Sequence, residues 1–259
     1  MQLRDQSPTY RLVVRLLRPL LTLLSRRDWQ GTEHLPASGG LVVCANHLSY
    51  LDPLTLAHFL VDAGRPPYFL AKEELFATPV VGAVVRRAEQ IPVHRGTADA
   101  SAALDAAVSA LRAGRCVAVY PESTLTRDPA LWPMAGKSGA ARLALTTAAP
   151  VVPVAQWGPQ EILFPYSKRL RLFPRRTVCV LAGPPVDLDD LRGRPLDAEL
   201  LTEATRRIMA DITALLEQLR GEAAPARPVE RPRDVTNGDD VTNGDDVTNG
   251  RSDGAGGRW

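Results

Sequence analysis

From its amino terminus the chain opens on a dense apolar block, Tyr10 to Leu24 (YRLVVRLLRPLLTLL), with arginines at positions 11, 15 and 18. At about 100° per residue the three arginines fall on one narrow helical stripe and apolar side chains occupy most of the remaining circumference. Three arginines make a poor transmembrane span, and no small-residue cleavage site follows to make the block a signal peptide. Two readings fit it. One is an interfacial helix lying on a membrane with its arginines among lipid headgroups, favoured by the density of leucine so early in the chain. The other is a helix packed on the protein's own core with three solvated arginines. Beyond the block, short apolar runs alternate with helix-period segments. The runs predict strands over 40–45, 68–71, 90–93, 116–121, 151–155 and 177–182. The periodic segments predict helices over 53–61, 79–88, 98–113, 137–148 and 198–220. Such alternation implies an α/β fold: a mostly parallel central sheet flanked by helices. Ligands of these sheets bind beyond the carboxyl ends of the strands, so the residues that leave each strand carry the interest.

The pattern ends after residue 220. Residues 221–233 are rich in Pro, Ala and Arg, and a six-residue repeat, DVTNGD-DVTNGD-DVTNG, follows. Its apolar content is too low to offset the entropy of folding, so 221–259 reads as a disordered tail. The chain thus divides into an amino-terminal membrane-associating helix (1–27), an α/β domain (28–220) and the tail.

Charge sharpens this picture. Of the 31 Lys/Arg and 29 Asp/Glu, only two arginines but six aspartates lie at or beyond Asp234, which leaves residues 1–233 at a net +6. A mildly basic folded part suits phosphate-bearing ligands or an anionic membrane surface and falls short of a nucleic-acid footprint. Cys44, Cys116 and Cys179 each sit inside an apolar run. Their odd number and their spacing argue for buried free thiols in a reducing compartment and against a disulfide framework or metal cluster.

The strand ends hold the candidate chemistry. After the first predicted strand comes Asn46-His47-Leu48-Ser49-Tyr50-Leu51-Asp52-Pro53. Five positions along an ideal helix rotate His47 and Asp52 to different faces, so a turn must bring them together if they cooperate. Asp-Pro is a helix start, with Asp52 as N-cap and Pro53 at the first helical position. Asp52 either only caps or also fixes one imidazole nitrogen so that the other takes a proton. Arg95, at a strand end ahead of a helix, is either a phosphate ligand or a surface arginine. Glu122, at the mouth of a buried strand, needs partners, with Arg95, Arg127 or ligand hydroxyls as candidates. Proline inside Val151-Val152-Pro153-Val154 suggests an edge position or a lining wall.

Four of these blocks in this order resemble the 1-acylglycerol-3-phosphate O-acyltransferase family, the glycerolipid acyltransferases: the HxxxxD block Asn46–Asp52, Ile91-Pro92-Val93-His94-Arg95, Pro121-Glu122-Ser123-Thr124, and Val151-Val152-Pro153-Val154. The resemblance covers about residues 28–185 and implies a glycerol-3-phosphate acyltransferase-like fold. It implies transfer of a fatty acyl group from acyl-CoA or acyl carrier protein to a lysophospholipid hydroxyl, giving phosphatidate when the acceptor is 1-acylglycerol-3-phosphate. His47 is then the base and Asp52 its orienting carboxylate. Arg95 grips the acceptor phosphate with Lys72 as a second contact, and Glu122, Ser123 and Thr124 help form the acceptor pocket. No metal and no further cofactor is required, and the expected location is peripheral, on the cytoplasmic face of a membrane. A different lipid acceptor, or water in a thioesterase-like reaction, are the alternatives, and a lapsed membrane-associated protein is the non-enzymatic one. The chain departs from the family where Ser123 replaces the glycine of PEGT. A Cβ there disfavours positive φ, so a backbone that needs glycine would be altered.

Overall fold

The computed structural model describes residues 3–93 and 99–226. In chain order the elements are α1 (Pro8–Leu24), β1 (Ser25–Gln30), β2 (Leu41–Ala45), α2 (Asp52–Asp62), β3 (Pro67–Lys72), α3 (Glu73–Ala77) and α4 (Val81–Arg87). They continue with β4 (Ile91–Val93), α5 (Asp99–Arg112), β5 (Cys116–Val119), α6 (Gly139–Thr147), β6 (Val151–Trp157), α7 (Pro159–Ile162), β7 (Arg176–Ala182) and α8 (Ala198–Arg220). The strands form one seven-stranded sheet in the order β1-β7-β6-β2-β5-β3-β4. Every neighbouring pair is parallel except β6 with β7.

Strand alternation builds a core on each face. Val42, Cys44, Val117 and Val119 point to one side and pack under α5, α6 and α8. Leu41, Val43, Ala45, Cys116 and Ala118 point to the other and pack against Leu56, Phe59 and Leu60 of α2. Helix α8 covers its side with a buried stripe that includes Leu201, Ala204, Ile208, Ile212 and Leu216. It starts where the Asp197 carboxylate accepts from the Leu200 N–H (2.8 Å) and stops at Gly221 in the left-handed conformation (φ 69°). The Arg220 guanidinium lies between the rings of Trp132 and Trp157, 3.9 and 4.5 Å from their centroids, and donates to the Ala130 carbonyl (2.8 Å). The carboxyl end of α8 therefore holds down the loop that leaves β5. Burial pushes the Cys116 thiol up to about 12, and all three cysteines are free.

Three expectations need correction or completion. Residues 25–30 carry no apolar run yet form β1, an edge strand parallel to β7, so the division at residue 27 falls inside a strand. Pro153 lies in an interior strand, not at an edge. Its carbonyl accepts from the Gly183 N–H (2.9 Å), one residue past β7, and in extended backbone the N–H and C=O of a residue point the same way. The donor that proline lacks therefore faces the place where the β7 ladder has run out, and pairing with β2 is intact. At the carboxyl end, residues 221–226 turn back on α8, where Ala224 donates to Glu217 (2.7 Å). The remainder of the expected tail, 227–259, lies outside the described residues.

Helix α1 combines features of both readings of its sequence. One face is docked: Tyr10 is buried and donates to the Pro67 carbonyl (3.1 Å), and Arg18 pairs with Asp62 (2.9 Å). Another face is open, exposing Leu12, Leu16, Leu20 and Leu23 in a single stripe, with Arg11 and Arg15 exposed beside it. Among the described residues no helix is long and apolar enough to cross a membrane.

Candidate active site

Adjacent strands β6, β2 and β5 end side by side, and the turn after β2 is clamped to both neighbours. Asn46 is fully buried and bonds reciprocally to the Gln156 backbone in β6, its amide donating to the carbonyl (3.0 Å) and its oxygen accepting from the N–H (2.7 Å). Ser49, also fully buried, donates its hydroxyl to the Leu163 carbonyl (2.7 Å). Between these two anchors the chain turns sharply enough to bring His47 and Asp52 together.

His47 Nδ1 lies 2.9 Å from Asp52 Oδ2. The same oxygen accepts from the Leu48 N–H and from the Ser49 N–H, the latter at 2.7 Å. Asp52 is completely buried and its other oxygen, Oδ1, has no hydrogen-bond partner among the described residues. The expectation that Asp52 caps its helix is corrected here. It is the first residue of α2, Leu51 holds the cap position, and no side chain caps the helix. The carboxylate turns back into the loop because three donors await it there. With the Nδ1 proton directed at Asp52, Nε2 is left as the basic nitrogen of a half-buried ring.

The β5 exit supports this from the other side. Glu122 is fully buried, its Oε1 accepting from the His47 N–H (3.1 Å) and its Oε2 from the Met134 N–H (3.0 Å). The Thr126 N–H donates to the His47 carbonyl (2.8 Å), so the backbone of His47 is held at both polar groups. Glu122 is thus a positioning residue for the histidine loop, whatever it also offers a ligand. Arg127, one of its expected partners, is exposed. The Tyr120 ring stacks on the imidazole with centroids 4.1 Å apart and planes 20° off parallel, and Phe69 of β3 stacks on Tyr120 in turn (6.2 Å, 8°). Desolvation and then the Asp52 carboxylate hold the Tyr120 phenol well above its ordinary range, so it stays neutral.

Ser123 adopts φ +60°, the conformation that glycine supplies without strain. The backbone is therefore the one a glycine would take, and the serine bears the strain. Ser123→Gly should raise stability by up to about 1 kcal/mol, the left-handed penalty less the extra freedom glycine has when unfolded. Thermal melting reads this as an unchanged or slightly higher Tm at unchanged turnover, whereas a clear fall in Tm would mean the serine side chain makes a contact worth more than the strain.

Of the other candidates, Thr124 is half-buried in the same turn. Lys72 ends β3, where its Cα pairs with that of Val93 at the end of β4. Arg95 lies outside the described residues. Asn46, Ser49, Gln156 and Tyr120 are frame residues that the sequence does not single out. The first two stand inside the motif that drew attention to His47, and Tyr120 immediately precedes Pro121-Glu122. Gln156 carried no local signal.

The acyltransferase family profile matches residues 26–157. A 1-acyl-sn-glycerol-3-phosphate acyltransferase of Bacillus subtilis is 27% identical over 215 residues, covering 81% of this chain and the whole of that protein. The alpha 1-acyl-sn-glycerol-3-phosphate acyltransferase of Mus musculus is 31% identical over 190 residues, covering 72% of this chain but 63% of the mouse protein. The crystal structure of the 1-acyl-sn-glycerophosphate acyltransferase of Thermotoga maritima superposes with a TM-score of 0.60 over 83% of each chain at 24% identity, a likeness of fold.

Proposed function

The chain belongs to the acyltransferase family, and from that premise we propose that it acylates the free hydroxyl of 1-acylglycerol-3-phosphate to give phosphatidate. The observation that carries the reading is the 2.9 Å contact between His47 Nδ1 and the buried Asp52 carboxylate at the carboxyl end of the sheet. His47 Nε2 accepts the hydroxyl proton as the alkoxide oxygen bonds to the thioester carbonyl carbon of acyl-CoA or an acyl carrier protein. Collapse of the tetrahedral adduct breaks the C–S bond, and the imidazolium returns its proton to the departing thiolate. Asp52 stabilises the transient imidazolium. Arg95 and Lys72 serve the acceptor phosphate, and Ser123 and Thr124 border the pocket. The enzyme works peripherally on the cytoplasmic face of a membrane, its open leucine stripe on α1 seated among lipids and Arg11 and Arg15 at headgroup level.

The test is to supply purified protein with an acyl thioester and a panel of lysophospholipids and to identify products by mass spectrometry. Phosphatidate should dominate. Free fatty acid with no acylated product would establish hydrolysis instead.

A further inference from the structure

From the end of α7 into the first residue of β7 runs the segment 164–176, FPYSKRLRLFPRR, with five cations, Lys168, Arg169, Arg171, Arg175 and Arg176, the last paired with Glu161 (3.3 Å). It leaves the body of the protein as a short hairpin. Leu163 bridges Leu170, and the Arg171 N–H donates to the Ile162 carbonyl (2.8 Å). Large apolar side chains that folding would ordinarily cover stand open here: Phe164 is 50% exposed, Leu170 55% and Phe173 82%. Lys168, Arg169, Arg171 and Arg175 are exposed among them. Arg169, Arg171 and Arg176 line a groove of about 550 Å³ together with Leu170, Leu172 and Phe173.

Two attachments give the hairpin its place. Arg175 donates to the carbonyls of Thr22 (2.7 Å) and Ser25 (2.9 Å), joining the hairpin to the last turn of α1, where Leu20 and Leu23 are exposed. At its base the Leu163 carbonyl accepts from Ser49, and at its tip Tyr166 donates to the Leu125 carbonyl (2.9 Å), so it also adjoins the histidine loop.

The geometry points to this hairpin as a second seat on an anionic bilayer, contiguous with the leucine stripe of α1. Its arginines meet lipid phosphates and Phe164, Leu170 and Phe173 enter the acyl boundary. The inference rests on the membrane-surface reading of α1 and assigns that surface a further part. An acidic carrier protein would also answer the charge, but the exposed apolar side chains of Leu170 and Phe173 beside Arg169 and Arg171 favour a bilayer, which rewards both.

The experiment is co-sedimentation with vesicles of phosphatidylcholine, with and without phosphatidylglycerol, at fixed low salt. Replacing Arg169 and Arg171 together by alanine should weaken partitioning onto the anionic vesicles roughly 30-fold, at about fivefold per cation, and change binding to the neutral ones little. Arg169→Lys with Arg171→Lys should restore most of it, and all variants should melt like the parent because both residues are exposed. Undiminished binding of the alanine pair to anionic vesicles would overturn the proposal, as would normal vesicle binding with turnover lost only when an acyl carrier protein is the donor. A Leu16→Gln, Leu23→Gln pair tests α1 separately. Its failure to weaken binding would remove the α1 reading while leaving the result on the hairpin to stand or fall alone.

Discussion

His47→Ala should abolish acyl transfer while leaving a folded protein. A positioned general base accelerates such steps by about 10²–10⁴-fold, and an alcohol attacking a thioester without one has little else to draw on, so the loss should reach the upper part of that range. The fold should survive because Asp52 keeps two of its three donors, the Leu48 and Ser49 N–H groups. The stacking of His47 on Tyr120 is worth about 1 kcal/mol. Steady-state turnover measured beside a thermal melt separates the two effects. Near-normal turnover in the alanine variant would end the general-base reading.

Asp52 should give the second largest effect, and its two obvious replacements should differ. Asparagine can place its oxygen where Oδ2 accepts all three hydrogen bonds and its amide nitrogen where Oδ1 has no partner among the described residues. The histidine tautomer is then unchanged and the negative charge alone is lost. A carboxylate in contact with a nascent imidazolium contributes a few kcal/mol at an effective dielectric near 20, only part of it expressed in the transition state. Asp52→Asn should therefore lower kcat by about 10²–10³-fold with the acceptor KM little changed. Alanine in its place also strands the buried Leu48 and Ser49 N–H groups, at a cost of about 2–4 kcal/mol, and should lower Tm by several degrees as well. Unchanged kcat in the asparagine variant would reduce Asp52 to a purely geometric role.

Where apolar periodicity was strong, the sequence was a good guide. Helix α8 occupies the span its pattern predicted, and β2 and β5 match within a residue or two because both faces of each strand are buried. β1 carries no strand signal because Ser25–Gln30 is mostly polar and only Ser25 is buried, and pairing with β7 rather than any local preference makes it a strand. Pro153 misled for a related reason, as its tolerance depends on where a strand thirty residues later happens to stop. In the candidate active site, the approach of His47 to Asp52 could be expected from residue type and spacing. The carboxylate's turn away from its own helix was not, nor was the buried frame of Asn46 on Gln156 and Glu122 on the His47 backbone. Those contacts join segments far apart in sequence, and nothing in either segment announces the other. Ser123 shows the reverse case: its Cβ led to the expectation of an altered backbone, and the structure instead keeps the left-handed backbone and accepts the strain.

The clasp of Arg220 by Trp132 and Trp157 bears on when the enzyme becomes competent. It ties the loop after β5 to residues made 90 positions later. That loop presents Met134 to Glu122, and Glu122 steadies His47. During synthesis the motif residues emerge from the ribosome early, but the brace behind them arrives with the last turn of α8. The histidine loop of a nascent chain therefore lacks this brace until α8 is complete.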